Sequence, residues 1–468
     1  MKLSATPLLP FLLISSLFNP LAAETKSTAD DQTNLSLTVY NSGRALVRDT
    51  RQINISLPTR QLAFMDVAQN IMPQTVSIEG LNVLEQNYDF DLLSPQSLVN
   101  KNIGKKVRIA RRSNETGETM EWSEGTILST NGGIILKMED GSLETLKANT
   151  NYHMIFNEVP DNLRSTPTLS LLLTEAVDGQ KTVDLTYLTT GLSWQSDYIL
   201  QLNDLENLAT LDSWITLENN SGISYNNTEL QLLAGDINIQ QPQARPTMLK
   251  REMSFRSMAQ APVKEQALHG YHLYSVPHKT TINNKQSKQI KLFSRNNIPI
   301  QKTLEDKAYV NSHGIETQKS KPDQLLTFKN SKPNLGLPLP KGIIRVYGND
   351  DSARKQFLGE DKIDHTAVNE ELEIKLGKTF DITVERSTRK FRQLSKKQTH
   401  LTREIKINNG GKKEQTITLS EIMPSQNWKI NKSSHRFKIE LTSIAEFELT
   451  IPAFKEITIN YDVLITYP

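Results

Sequence analysis

The sequence predicts a mainly β protein, with several antiparallel β-sandwich and small-barrel domains and an immunoglobulin-like sandwich at the C-terminal end. Three observations predict it. Apolar and polar residues alternate with period two in "LSLTV" (35–39), "INISL" (53–57), "VDLTY" (183–187), "FKIEL" (437–441), "FELTI" (447–451) and "ITINYDV" (457–463). That period places one face of a strand on a core and the other in water. Turn signals punctuate the runs: Asn131-Gly132-Gly133, Asp140-Gly141, Asp178-Gly179 and Asn409-Gly410-Gly411 tolerate the positive φ of tight hairpins. Helical periodicity is scarce, with residues 61–68 and a stretch near 248–268 as its only candidates.

Taken in order, Lys2, the apolar run "LLPFLLISSLF" (8–18) and the small residues of "NPLAA" read as an export signal over residues 1–23, cut after Ala23. The run is too short for a stable membrane anchor. Residues 24–96 are strands that join a later sheet. Residues 97–158, with "GKKVRIAR", "MEWSEGTILST" and "GGIILKMEDG", form a small β-barrel insertion whose closure removes exposed edges. A central β-sandwich fills 159–346. It is interrupted at 238–266, where periodicity disappears among Pro, Gln, Arg and Met, the composition of a mobile loop. Regularly spaced short strands over 347–468 make the immunoglobulin-like sandwich.

Composition narrows the function. With 54 Lys and Arg against 52 Asp and Glu, the chain lacks the basic stripe of a nucleic-acid binder. Zero cysteines exclude disulfides and thiolate metal sites. An exported chain of this size held by its cores alone suits the periplasm or cell surface of a Gram-negative bacterium. After residue 24 no run of 18 apolar residues occurs, so the mature chain has no transmembrane segment. Short strands with charges spread along "FKIELTSIAEFELTI" argue against an outer-membrane barrel.

At "YLTTGLSWQSDY", "SWITLENNSG", "LQLLAGDIN" and "FLGEDKIDHT" the chain resembles the bacterial family known as domain of unknown function 4139, whose better-named relatives are called mucoidy inhibitor A. "LTVYNSGRALVRDTR" (37–51) and "LGKTFDITVERSTRKFR" (376–392) extend the resemblance over the mature chain. It implies an exported β-rich protein. It brings no reaction, cofactor or catalytic residue.

The candidate binding residues are Trp194, Trp214, Asp236, Glu360, Asp361 and His365. In "GLSWQSDY", Gly191 makes a joint between strands, while Leu192 and Trp194 share a face. Tyr187 and Tyr198 bury their rings and keep their hydroxyls hydrogen-bonded. Trp214, Thr216 and Glu218 alternate against Ile215 and Leu217. Two readings compete for the tryptophans: stacking on sugar rings beside Asn and Asp, or packing inside a sandwich. "GDIN" (235–238) and "GEDKIDHT" (359–366) gather carboxylates and one imidazole that suit a hard divalent cation, although the spacing fits no metal motif. Alternation places Ile363 inward and Asp364 outward instead. His269, His272 and His278 pose the same choice between zinc and a strand in which Tyr271, Leu273 and Val276 pack.

Nucleophile elbows and phosphate cradles are missing, and "NNGG" (408–411) reads as a hairpin. The sequence therefore favours a non-enzymatic binding or assembly module of the envelope. It needs no cofactor, and its partners are envelope proteins or glycans. The 238–266 segment, rich in Arg and Met, is its expected contact element. Two alternatives stand beside it. One is a carbohydrate-active hydrolase whose carboxylates, such as Asp236 and Glu360, meet near Trp194 or Trp214. The other is a metal-stabilised adhesin.

Overall fold

The alternation becomes strand almost everywhere. The computed structural model describes residues 24–112, 119–146, 152–160, 163–235, 264–268 and 270–467. Among these, strands dominate and the single α-helix is Pro95–Lys101. Ser94 caps that helix with a capping box to Ser97, and Pro95 occupies its first turn. Residues 61–65, a helix candidate in the sequence, close the long strand Arg44–Met65 instead. They pair with Thr168–Leu172 and bury Leu62 and Phe64 completely, so tertiary pairing overrides local periodicity.

Two sheets share the largest core. One runs through Lys264–Leu268, Tyr271–Ser275, Tyr225–Ala234, Gln32–Tyr40, Arg44–Met65 and Thr168–Thr190. The other, the central sheet, has the order Gln286–Pro299, Leu208–Asn219, Leu192–Leu202, Gly342–Asn349 and Lys355–Ile363. Leu37, Val47, Val183 and Leu185 of the first meet Leu200, Leu211, Ile215 and Ile344 of the second, all essentially inaccessible. A second core lies between two C-terminal sheets. One has the order Glu371–Lys378, Asp323–Lys329, Gln301–Tyr309, Gln415–Ile422, Ile444–Ile451 and Lys438–Glu440. The other comprises Thr317–Ser320, Ile382–Ser395, Gln398–Asn409, Glu456–Thr466 and Asn427–Ser433.

The two sandwiches are copies of one skeleton. In the first, Tyr271–Ser275, Tyr225–Ala234, Gln32–Tyr40, Arg44–Met65 and Thr168–Thr190 lie side by side, and only the Tyr225–Ala234/Gln32–Tyr40 contact is parallel. In the second, Ile444–Ile451, Gln415–Ile422, Gln301–Tyr309, Asp323–Lys329 and Glu371–Lys378 repeat that order, again with one parallel contact at the same place. Facing them, Leu192–Leu202, Leu208–Asn219 and Gln286–Pro299 correspond to Ile382–Ser395, Gln398–Asn409 and Glu456–Thr466, antiparallel throughout. Chain order is preserved in all eight pairs. The middle strands Leu208–Asn219 and Gln398–Asn409 have the same length and the same residue-by-residue burial pattern.

Each middle strand ends on a wholly buried asparagine that steers the chain into the opposite sheet. Asn219 Nδ2 donates to the carbonyls of Ile223, Ile282 and Asn283, and Asn409 Nδ2 donates to those of Lys413, Ile451 and Pro452. Their Oδ1 atoms accept from the amides of Ser221 and Gly411. "NNGG" is therefore an arch between sheets and not a hairpin, because its flanking strands pair with other partners. Asp178-Gly179 likewise is no hairpin. It is an irregularity inside Thr168–Thr190, where the register against Arg44–Met65 shifts. Asn131-Gly132-Gly133 and Asp140-Gly141 do close hairpins.

The expected boundaries also move. The chain enters the C-terminal sandwich at Gln301–Tyr309, returns to the central sheet at Gly342–Asn349 and Lys355–Ile363, and leaves again at Glu371–Lys378. No single cut at 347 separates the units. The insertion is a five-stranded antiparallel sheet with its own small core around Ile109, Ile127 and Leu136. Among the described residues its outer strands Leu143–Leu146 and Tyr152–Ile155 do not pair with each other, so the expected barrel closure is not found. Residues 1–23 and 238–263 lie outside the described residues. The end of the expected excursion, Lys264–Leu268, is a strand paired with Tyr271–Ser275.

Candidate functional site

Strand parity divides the candidate residues between the two faces of the central sheet. Leu192, Trp194, Tyr198 and Leu200 face the core. Trp194 is 3% exposed, donates from Nε1 to the Val39 carbonyl at 3.0 Å and meets the Tyr274 ring edge-on at 6.3 Å. Tyr198, fully buried, donates to the Pro340 carbonyl at 2.6 Å, and burial pushes its phenol well up. Tyr187 accepts from the Ala68 amide. These aromatics are core, and none can stack on a sugar.

Gly191 supplies the joint. Its φ is +87°, and an added Cβ would sit 2.6 Å from the Asn220 carbonyl oxygen. The chain turns there from one sheet into the other, and the Asn220 amide donates to the Gly191 carbonyl at 2.6 Å. Only glycine meets both demands.

Trp214 lies on the opposite, solvent-facing side, half-buried, with the Lys291 ammonium 5.6 Å from its ring centre. Lys291 is also paired with Asp212 at 3.0 Å. Directly across from Trp214 in register is Asp197, which anchors a polar ladder running across all five strands. Gln289 Nε2 donates to Thr216 Oγ1 at 3.1 Å, and Thr216 Oγ1 donates to Asp197 Oδ2 at 2.5 Å. Arg345 Nη1 then reaches Asp197 Oδ1 at 2.8 Å, and its Nε reaches Glu360 Oε2 at 3.1 Å. Burial works against the charge on Arg345, but Asp197 and Glu360 outweigh it and raise the guanidinium above its ordinary value. Further along this face Tyr347 meets Phe357 edge-on at 5.6 Å, and Lys355 lies over the Tyr347 ring.

The structure thus brings Trp214 and Glu360 to one face, three strands apart, a backbone separation of about 14 Å at ordinary strand spacing. It does not bring the other candidates there. Asp361 points away and accepts from the Lys362 and Lys375 amides, both at 2.8 Å, which ties the central sheet to Glu371–Lys378. His365 Nδ1 accepts from the Lys341 amide. Ile363 is inward and Asp364 outward. Asp236 and His269 lie outside the described residues. His272 stands in Tyr271–Ser275 and His278 beyond it. In that strand Tyr274 is the buried residue, with Val276 after it, so Leu273 is only half-buried. Among the described residues no group of three His, Asp or Glu side chains is arranged to hold a metal.

Sequence reading missed Asp197 and Arg345, the centre of the ladder. Parity held the signal for Asp197: once Trp194 is inward, Gln195 and Asp197 must be outward. Arg345 had no such signal, because its strand lies next to Leu192–Leu202 only through a parallel contact across more than a hundred residues.

A model of the family described as "Domain of unknown function (DUF4139)" matches residues 183–468. No curated protein sequence matches the chain.

Proposed function

The chain belongs to the family described as domain of unknown function DUF4139, and from that premise we propose that it is an exported, non-catalytic binding or assembly module of the bacterial envelope. Its contact surface is the solvent face of the central sheet. One observation carries the reading. On that face the two neighbouring carboxylates, Asp197 and Glu360, are both bound to the guanidinium of Arg345. An acid–base pair needs one carboxyl to hold a proton and the other to stay open for water or substrate. A shared arginine occupies both. The same groups form a flat ladder of donors and acceptors beside Trp214, Tyr347 and Phe357, and sheet faces with such a mixture suit a partner protein or a glycan.

Export is supported by the N-terminal pattern of a charged residue, an apolar run and small residues. The test combines localisation and recognition. Fractionation of cells expressing the full chain should place it outside the cytoplasm. Crosslinking in the envelope should capture a partner that is lost with Arg345→Ala or Trp214→Ala. Turnover of an envelope glycan that disappears in Asp197→Asn or Glu360→Gln would overturn the non-catalytic reading.

A further inference from the structure

A second polar site lies in the first sandwich, away from the ladder. Below a rim that includes Ala29 and Ser224 is a cavity of about 240 Å³. Its floor is polar despite its depth: Asp49 is 2% exposed, and Tyr187 and Tyr225 are essentially inaccessible. Asp49 uses only one carboxylate oxygen. Oδ2 accepts from Arg51 Nε at 3.0 Å, from Arg51 Nη2 at 2.8 Å and from Gln32 Nε2 at 2.9 Å. Oδ1 has no hydrogen-bond partner among the described residues. Leaving such an oxygen buried and unpaired is costly, so it marks a place where a donor belongs.

The surroundings specify the donor. Asp66 also lines the cavity, held at a φ of 61°, and its Oδ2 accepts from the Ala29 amide at 3.0 Å. No Lys, Arg or His is among the lining residues. Arg51, wholly buried behind Asp49, balances one of the two carboxylates, which leaves one net negative charge facing the space. Burial holds the Tyr187 phenol far above its ordinary value, so it stays protonated and neutral. Calcium takes six to eight oxygens, and two carboxylates, each with one oxygen already committed, are a poor cage for it. A compact monocation with several N–H donors fits better, and the apolar walls of Leu35 and Val47 suit a short aliphatic stem. We infer that this cavity binds a primary ammonium group on a short aliphatic chain, with Asp49 Oδ1 and Asp66 accepting its hydrogen bonds. The inference is independent of the binding role given to the central sheet.

Such an ammonium comes either from a free alkylamine or from a lysine side chain of a partner protein. The purified chain is titrated with n-butylammonium, with n-butanol as the uncharged counterpart, calcium as the divalent one, and a lysine blocked at both backbone ends. Asp66→Asn is the informative variant, because asparagine tolerates the left-handed backbone and keeps an acceptor for the Ala29 amide. Asp49→Asn is unsuitable alone, since it deprives buried Arg51 of its counter-charge. Saturable binding of butylammonium, no binding of butanol, and at least about tenfold weaker binding in Asp66→Asn are expected. Equal or tighter binding of the blocked lysine assigns the source to a protein side chain, and its failure while butylammonium binds assigns a free amine. An equal response to butanol, a stronger response to calcium, or affinity unchanged by Asp66→Asn overturns the inference.

Discussion

Glu421 is the residue whose loss the C-terminal sandwich should tolerate least. It is completely buried. Arg386 Nε donates to its Oε1 at 2.5 Å, Tyr461 donates to its Oε2 at 2.5 Å, and Arg403 Nη2 stands 3.4 Å from Oε2. Arg386 is also bound to Asp306, and Arg403 to Thr388. Two cations and two anions therefore balance inside the core. Glu421→Gln keeps the shape and leaves two buried guanidinium groups with one carboxylate. Breaking a buried pair in this way costs about 3–5 kcal/mol. At roughly 2–4 °C per kcal/mol for a unit of this size, thermal unfolding should fall by about 6–20 °C.

The pH profile sharpens the test. Burial alone would push the Glu421 carboxyl up, yet Arg386 and Arg403 outweigh it and hold it below its ordinary value. A depressed folded value means that the stabilisation is complete above the unfolded carboxyl's pKa, about 4.3. It is lost as pH falls through the folded value. The gap between parent and Glu421→Gln should then be widest near pH 7 and narrow in acid. Calorimetry at a series of pH values measures it. A variant melting within about 2 °C of the parent at pH 7, or a gap that widens in acid, would refute the reasoning.

Gly191→Ala should destabilise by about 2–3 kcal/mol, from a left-handed backbone and a Cβ pressed on Asn220; a denaturant midpoint equal to the parent's would contradict the joint. Trp194→Ala should cost about 3–5 kcal/mol, whereas Trp214→Ala on the open face should cost about 1 kcal/mol or less, and equal losses in chemical denaturation would contradict the assigned faces. Asn219→Ala and Asn409→Ala should each cost about 3 kcal/mol, since both strand three carbonyls. If only one of the two lowers the unfolding midpoint, the arches are not equivalent.

Period two carried most of what the sequence revealed. It put Trp194 on the same face as Leu192, Trp214 and Thr216 on the face opposite Ile215 and Leu217, and Ile363 inward, because each of these depends only on neighbours along one strand. It failed where partners come from afar. Residues 61–65 look helical until Thr168–Leu172 pairs with them. Asn409-Gly410-Gly411 looks like a hairpin because the local chemistry of a hairpin and of an arch is the same. What separates them is the three distant carbonyls that Asn409 binds. The ladder was half legible for the same reason. Trp214 and Glu360 were candidates by residue type, but Arg345, which links Glu360 to Asp197, arrives through a parallel contact that no local pattern announces.

The duplication bears on where function resides. Eight paired strands, a parallel contact at the same place in the larger sheet and the arch asparagines are common to both sandwiches, so folding of this skeleton demands them. The ladder is not common to both. Beside Leu192–Leu202 the first copy has the parallel strand Gly342–Asn349 and then Lys355–Ile363, whereas beside Ile382–Ser395 the second has only the short antiparallel strand Thr317–Ser320. Arg345 and Glu360 stand on those two added strands. A skeleton that closes without them in one copy does not require them in the other. Their polar face is therefore a property of the first sandwich in particular, and substitutions at Arg345 should affect recognition more than stability.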